Sequence, residues 1–88
     1  MGVIEKTAAE LASGEEGTIV SLGGGPGAQS RLRALGLSEG QRVRNVSRIG
    51  WGGPIVLLVN RAQVAVGRGM ARKIVVRVRK DRRAESND

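Results

Sequence analysis

The chain predicts an all-β (mainly β) fold, a small, closed or nearly closed barrel of about five strands with a short N-terminal helix and a helical insertion after the first strand. Three observations lead there. Short runs rich in Val and Ile, each bounded by Gly, Pro or Asn, recur along the sequence. Its 88 residues include 23 Leu, Ile and Val, enough for one small core and one domain. A sheet of so few short strands leaves exposed edges unless it closes on itself.

The elements follow in chain order. Thr7-Ala8-Ala9-Glu10 has the form of a capping box, and the helix it opens is short because Ser13-Gly14 ends it. Leu11 is that helix's one large apolar residue and is expected on the core. Gly17–Leu22 reads as the first strand. The glycine run Gly23-Gly24-Gly25-Pro26-Gly27 has neither the Gly-Lys-Ser/Thr ending nor the GxGxxG spacing of a phosphate loop, so it reads as a connector. Ala28–Leu35 is the best helix, with Ala28, Leu32 and Leu35 on one stripe and Gly36 placed as a left-handed C-terminal cap.

Gln41–Ile49 reads as a strand whose apolar residues Val43, Val46 and Ile49 recur every three positions, which predicts a bulge or bend in its middle. Gly50–Pro54 is a loop carrying Trp51, the chain's sole aromatic residue. Ile55–Val59, apolar at every position, is expected to be covered on both faces, within the barrel or by a second copy of the chain. Asn60-Arg61-Ala62 makes a tight reversal, Gln63–Val66 returns, and Gly67–Ala71 is a short crossover of about one turn. Lys73–Arg79 is the cleanest strand: Ile74, Val76 and Val78 face one way and Val75, Arg77 and Arg79 the other. Residues 1–80 therefore form one domain, and 81–88 a disordered charged tail.

Composition excludes most chemistry. The chain has no Cys and no His, which removes disulfides, thiolate and imidazole catalysis, iron–sulfur clusters and the usual zinc ligands. No pair of the remaining polar residues is placed as nucleophile and base, so catalysis is not expected. No apolar run is long enough to span a membrane, and no signal peptide is apparent at the start. Glu10, Glu15 and Glu16 are the only clustered carboxylates, on too short and exposed a segment to make a metal site.

The charge is concentrated. The chain carries +7 overall, but residues 17–80 hold twelve basic side chains against Glu39 alone. Twelve of the fifteen basic residues are Arg, whose planar guanidinium suits carboxylate and phosphate. A body of this charge attracts an anionic partner.

Taken together, Leu11-x-x-Gly14-x-x-Gly17-x-Ile19, Arg31-Leu32-x-x-Leu35-Gly36-Leu37-x-x-Gly40, Gly52-Gly53-Pro54-Ile55, Val64-Ala65-Val66 and Ala71-x-x-Ile74-x-Val76 resemble, in order and spacing, the FeoA family of ferrous iron transport proteins. The same module is similar to the C-terminal SH3-like domain of repressors of the diphtheria toxin repressor type. The resemblance implies an SH3-like barrel and a non-catalytic, cytoplasmic accessory protein of ferrous iron uptake. Its implied partner is FeoB, a membrane ferrous iron transporter with a cytoplasmic GTPase region. No cofactor and no small-molecule substrate are implied. Arg61 departs from the family pattern, where the hairpin turn usually carries glycine.

The candidate partner-binding residues are Arg31 on the edge of the helix stripe, Arg42, Arg44 and Arg48 on the following strand, and Trp51 at the loop tip. Trp51 is either an exposed anchor or a lid over one end of the barrel. Phosphate-directed, sequence-blind nucleic-acid binding is the alternative, resting on a pI of about 11.5. The absence of Phe and Tyr argues against a base-stacking platform. The apolar Ile55–Val59 run also raises the expectation of a homo-oligomer.

Overall fold

The computed structural model describes residues 2–47 and 53–80. The expected tail at 81–88 and the centre of the loop around Trp51 lie outside them. Six strands, β1 (Gly2–Thr7), β2 (Glu16–Leu22), β3 (Arg42–Asn45), β4 (Ile55–Val59), β5 (Ala62–Val66) and β6 (Ile74–Lys80), form one antiparallel sheet in the order β1-β6-β2-β3-β4-β5. Helix α1 (Pro26–Ala34) is inserted between β2 and β3, and the single turn α2 (Arg68–Ala71) joins β5 to β6.

One buried cluster lies against the inner faces of β2 to β6. Ile19, Leu22, Val43, Ile55, Leu57, Val59, Val66, Ile74, Val76 and Val78 come from the strands, with Leu32, Leu37 and Leu11 from the connections. The alternation foreseen for the last strand holds: Ile74, Val76 and Val78 are buried, while Arg77 and Arg79 face outward.

Five expectations need correction. The chain has a strand before the first one foreseen. β1 pairs with β6 from Gly2↔Lys80 to Thr7↔Val75, yet Val3 and Ile4 remain 58% and 41% exposed. A strand that buries neither face has no alternation to betray it; backbone pairing and the Arg77–Glu5 ion pair at 3.0 Å hold it. The helix at residue 7 is one 3₁₀ turn, Ala8–Glu10, with the Thr7 N–H donating to Glu10 Oε1 at 2.6 Å. Leu11 is buried at its end as foreseen.

The bulge lies in β2, not in the strand after α1. The register against β6 shifts between Ile19 and Ser21, so Val20 is the extra residue and Leu22, three after Ile19, returns to the core. In β3 the two-residue alternation is intact, but its second inward position is Asn45, 4% exposed. Asn45 Nδ2 donates to the Leu11 carbonyl at 2.8 Å, and its Oδ1 accepts from the Ser47 N–H at 2.9 Å. Its backbone pairs with the 14–15 segment in both directions. A polar residue in a core position broke the apolar count.

Finally, β4 buries Ile55, Leu57 and Val59 in the core, while Val56 and Leu58 are half-buried on the outer side, so within one chain only one face of the strand is fully covered.

α1 ends as its sequence requires. Gly36 has φ +88°, its N–H donates to the Arg33 carbonyl at 3.0 Å, and the Leu37 N–H reaches the Leu32 carbonyl at 3.0 Å, a Schellman cap. Leu35 is 46% exposed where the stripe placed it inside, because the chain reverses at Gly36 and delivers Leu37 to the core instead.

The β4–β5 hairpin closes through Asn60 (φ 50°) and Arg61 (φ 68°), both left-handed, with Val59 opposite Ala62. This is the two-residue turn that favours Asn-Gly. Arg61 bears the steric cost of that conformation, so Arg61→Gly is expected to stabilise the fold by about 1 kcal/mol. Urea denaturation checks this, and an unchanged or lowered midpoint would show that the Arg61 side chain compensates for its backbone.

Candidate partner-binding surface

The outward side chains of β1, β6, β2 and β3 form cross-strand rows. Glu5 stands opposite Arg77, Arg77 opposite Thr18, and Thr18 opposite Arg42. Two residues along the strands, Val3 faces Arg79 and Glu16 faces Arg44. Directly opposed residues share a face, so Arg42, Arg44, Arg77 and Arg79 project from one surface.

A groove of about 530 Å³ runs across it, with Arg42, Arg77 and Arg79 in its wall and Val3, Thr18 and Val20 among its lining residues. Gly17 lies in the lining between Glu16 and Thr18, and on its inner side a Cβ would stand 2.7 Å from the Arg77 carbonyl oxygen and 3.1 Å from the buried Val78. The β2 bulge places Val20 in the lining, since the extra residue turns outward between two core positions.

Three of the four arginines already hold carboxylates. Glu16 bridges Arg42 at 3.3 Å and Arg44 at 3.7 Å, and Glu5 holds Arg77 at 3.0 Å. All five side chains are between 41% and 69% exposed, so each pair contributes at most about 1 kcal/mol. Arg79 is exposed and makes no ion pair among the described residues.

Of the residues singled out in the sequence, Arg42 and Arg44 come together on this face. Arg31 sits apart, exposed in the last turn of α1. Arg48 and Trp51 lie outside the described residues. Arg77 and Arg79, not among the residues singled out, share this face. The signal was present in the outward phase of the last strand, but only the sheet order sets that strand beside β2 and the β2–β3 pair.

Elsewhere, Arg33 pairs with Glu39 at 3.0 Å. The Glu39 carboxyl is held below its ordinary pKa, chiefly by a hydrogen bond from its own backbone N–H and then by the Arg33 guanidinium. A lowered folded-state pKa stabilises the fold above the unfolded value and is lost as pH falls through the folded one. In Arg33→Ala the Glu39 titration midpoint is expected to rise only part of the way, because the backbone bond remains. An NMR titration that shows full return to the ordinary value would assign the effect to Arg33 instead.

Among the described residues no group of three or more acidic side chains stands close enough to hold a metal ion. Glu10 accepts from Thr7 N–H, Glu15 pairs with Lys6 at 3.1 Å, and Glu16 faces Arg42 and Arg44, so these carboxylates diverge.

A short antiparallel sheet wrapped on one core, with a helical insertion and a cationic outer groove, defines an SH3-like module. Residues 6–78 match the FeoA domain model, and the chain belongs to that family. It is 32% identical over 63 residues to a protein of Methanocaldococcus jannaschii provisionally named Fe(2+) transport protein A, covering 72% of this chain and 74% of that one. A crystal structure of the iron uptake regulatory protein FeoA superposes with a TM-score of 0.75 at 27% identity, over 83% of this chain and 95% of that chain. The zinc-complexed FeoA of Stenotrophomonas maltophilia, described as a prokaryotic SH3 domain protein, gives 0.69 at 26% identity over 85% and 98%. A manganese-dependent transcriptional repressor, at 21% identity and a TM-score of 0.78, shares the fold over 44% of its own length.

Proposed function

We propose that this protein is a non-catalytic accessory of ferrous iron uptake that binds the cytoplasmic GTPase region of a FeoB-type transporter. The observation that carries the reading is the family match across nearly the whole described chain. The S. maltophilia relative, for which a role as a ferrous iron transport activating factor has been suggested, supports it. The arginine-lined outer face supplies a surface for a protein partner. No described helix is long and apolar enough to cross a membrane.

The test is a calorimetric titration of the full chain against the GTPase domain of its cognate transporter, at low and at physiological salt. Saturable binding that persists at physiological salt is expected. Binding to a DNA duplex or single strand in its place, lost on adding salt, would overturn the reading in favour of phosphate-directed nucleic-acid binding.

A further inference from the structure

The groove selects a kind of ligand as well as a place. Its charged lining is Arg42, Arg77 and Arg79 with Glu16 among them, and the groups seated on the arginines of this face are carboxylates, from Glu16 and Glu5. Arg77 and Arg79 are two residues apart on β6, as are Arg42 and Arg44 on β3. Residues two apart on a strand lie about 6.6–6.8 Å from one another on one face. An extended segment with a carboxylate at every second residue repeats at that spacing. Val3, Val20 and the Thr18 hydroxyl provide apolar contact and one polar contact between the charges.

We infer that the groove across β1, β6, β2 and β3 docks an extended acidic segment of a partner protein, whose alternate carboxylates take Arg79 and displace Glu16 and Glu5 from the other arginines. The exchange costs little, because the internal pairs are exposed. A nucleic-acid strand fits less well. The whole chain offers a single aromatic side chain, so no base-stacking platform accompanies the arginines. The inference rests on the partner-binding reading above and adds to it the chemistry of the ligand.

The experiment is fluorescence anisotropy of the full chain with a labelled peptide alternating Glu and Val. A peptide of the same composition with its glutamates in one block, an oligothymidylate and anionic phosphatidylglycerol vesicles serve as comparison ligands. The alternating peptide is expected to bind tightest. Arg79→Ala and Arg77→Ala should each weaken it roughly three- to tenfold. Arg72→Ala, exposed and outside the groove lining, should leave it unchanged. Glu16→Gln should tighten binding, because it removes the internal competitor, and a tightening cannot come from misfolding.

Equal binding of the blocked peptide, tighter binding of the oligonucleotide or vesicles, or indifference to both Arg79→Ala and Glu16→Gln would each overturn the assignment. The two readings fail separately. If the GTPase domain binds but the peptide does not, the groove is wrong and the accessory role stands. If the peptide binds through Arg79 but the GTPase domain does not, the partner is another acidic protein.

Discussion

Asn45→Leu is expected to lower the stability of the fold by about 3 kcal/mol, although it replaces a polar side chain in the core by an apolar one of similar size. The loss comes from what is left behind. The Leu11 carbonyl and the Ser47 N–H each lose their Asn45 partner, at 2.8 and 2.9 Å. An orphaned buried group costs roughly 1–3 kcal/mol. A chain of 88 residues has about 4–13 kcal/mol in all, so the substitution removes a large share of it. The melting temperature should fall by roughly 12–24 °C. The segment from Leu11 to Glu15 should also loosen, visible as faster amide exchange at Gly14, whose N–H bonds the Asn45 carbonyl. By contrast Arg44→Ala, on the exposed outer face of the same strand, should stay within about 0.5 kcal/mol of the parent. If Asn45→Leu melts with the parent, the two backbone groups have found other partners and the pin between β3 and the 11–15 segment is not needed.

The second large effect is expected at Gly17. The added methyl of Gly17→Ala would stand 2.7 Å from the Arg77 carbonyl oxygen and 3.1 Å from Val78 Cγ2. The first is backbone, held in the β2–β6 pairing beside Thr18↔Arg77, and cannot step aside as a side-chain tip would. Overpacking of this kind costs about 1–3 kcal/mol, and Gly17→Val more. Gly27→Ala is the matched control, since nothing lies within 4 Å of its Cβ position and it sits in the first turn of α1. It should leave the chain as stable as the parent or stabilise it by up to about 0.5 kcal/mol, less than the helix-interior value because the first turn is only partly hydrogen-bonded. Chemical denaturation of the pair checks both signs. A neutral Gly17→Ala would mean that β2 and β6 can part at this point without cost.

Both positions show where sequence reasoning meets its limit. Gly17 is visible in the sequence as a glycine at the start of a strand, but the demand for it comes from a strand nearly sixty residues later. Asn45 reads as an interruption of an apolar pattern, and its burial is apparent only when Leu11 and Ser47 are brought beside it.

The local rules were sufficient wherever a residue's role depends on its neighbours in the chain. The β-rich character, the left-handed cap at Gly36, the left-handed Asn60 turn, and the alternation of Ile74, Val76 and Val78 with Arg77 and Arg79 on the opposite face are short-range consequences of backbone sterics and side-chain period. They could be read without coordinates. The β1 strand, the bulge at Val20, the buried Asn45 and the meeting of Arg77 and Arg79 with Arg42 and Arg44 depend on which strands lie side by side. Strand order is set by packing between residues far apart in the chain. A period of two gives the face of each arginine but not the neighbour across the sheet, and the neighbours turn scattered positive charges into one groove.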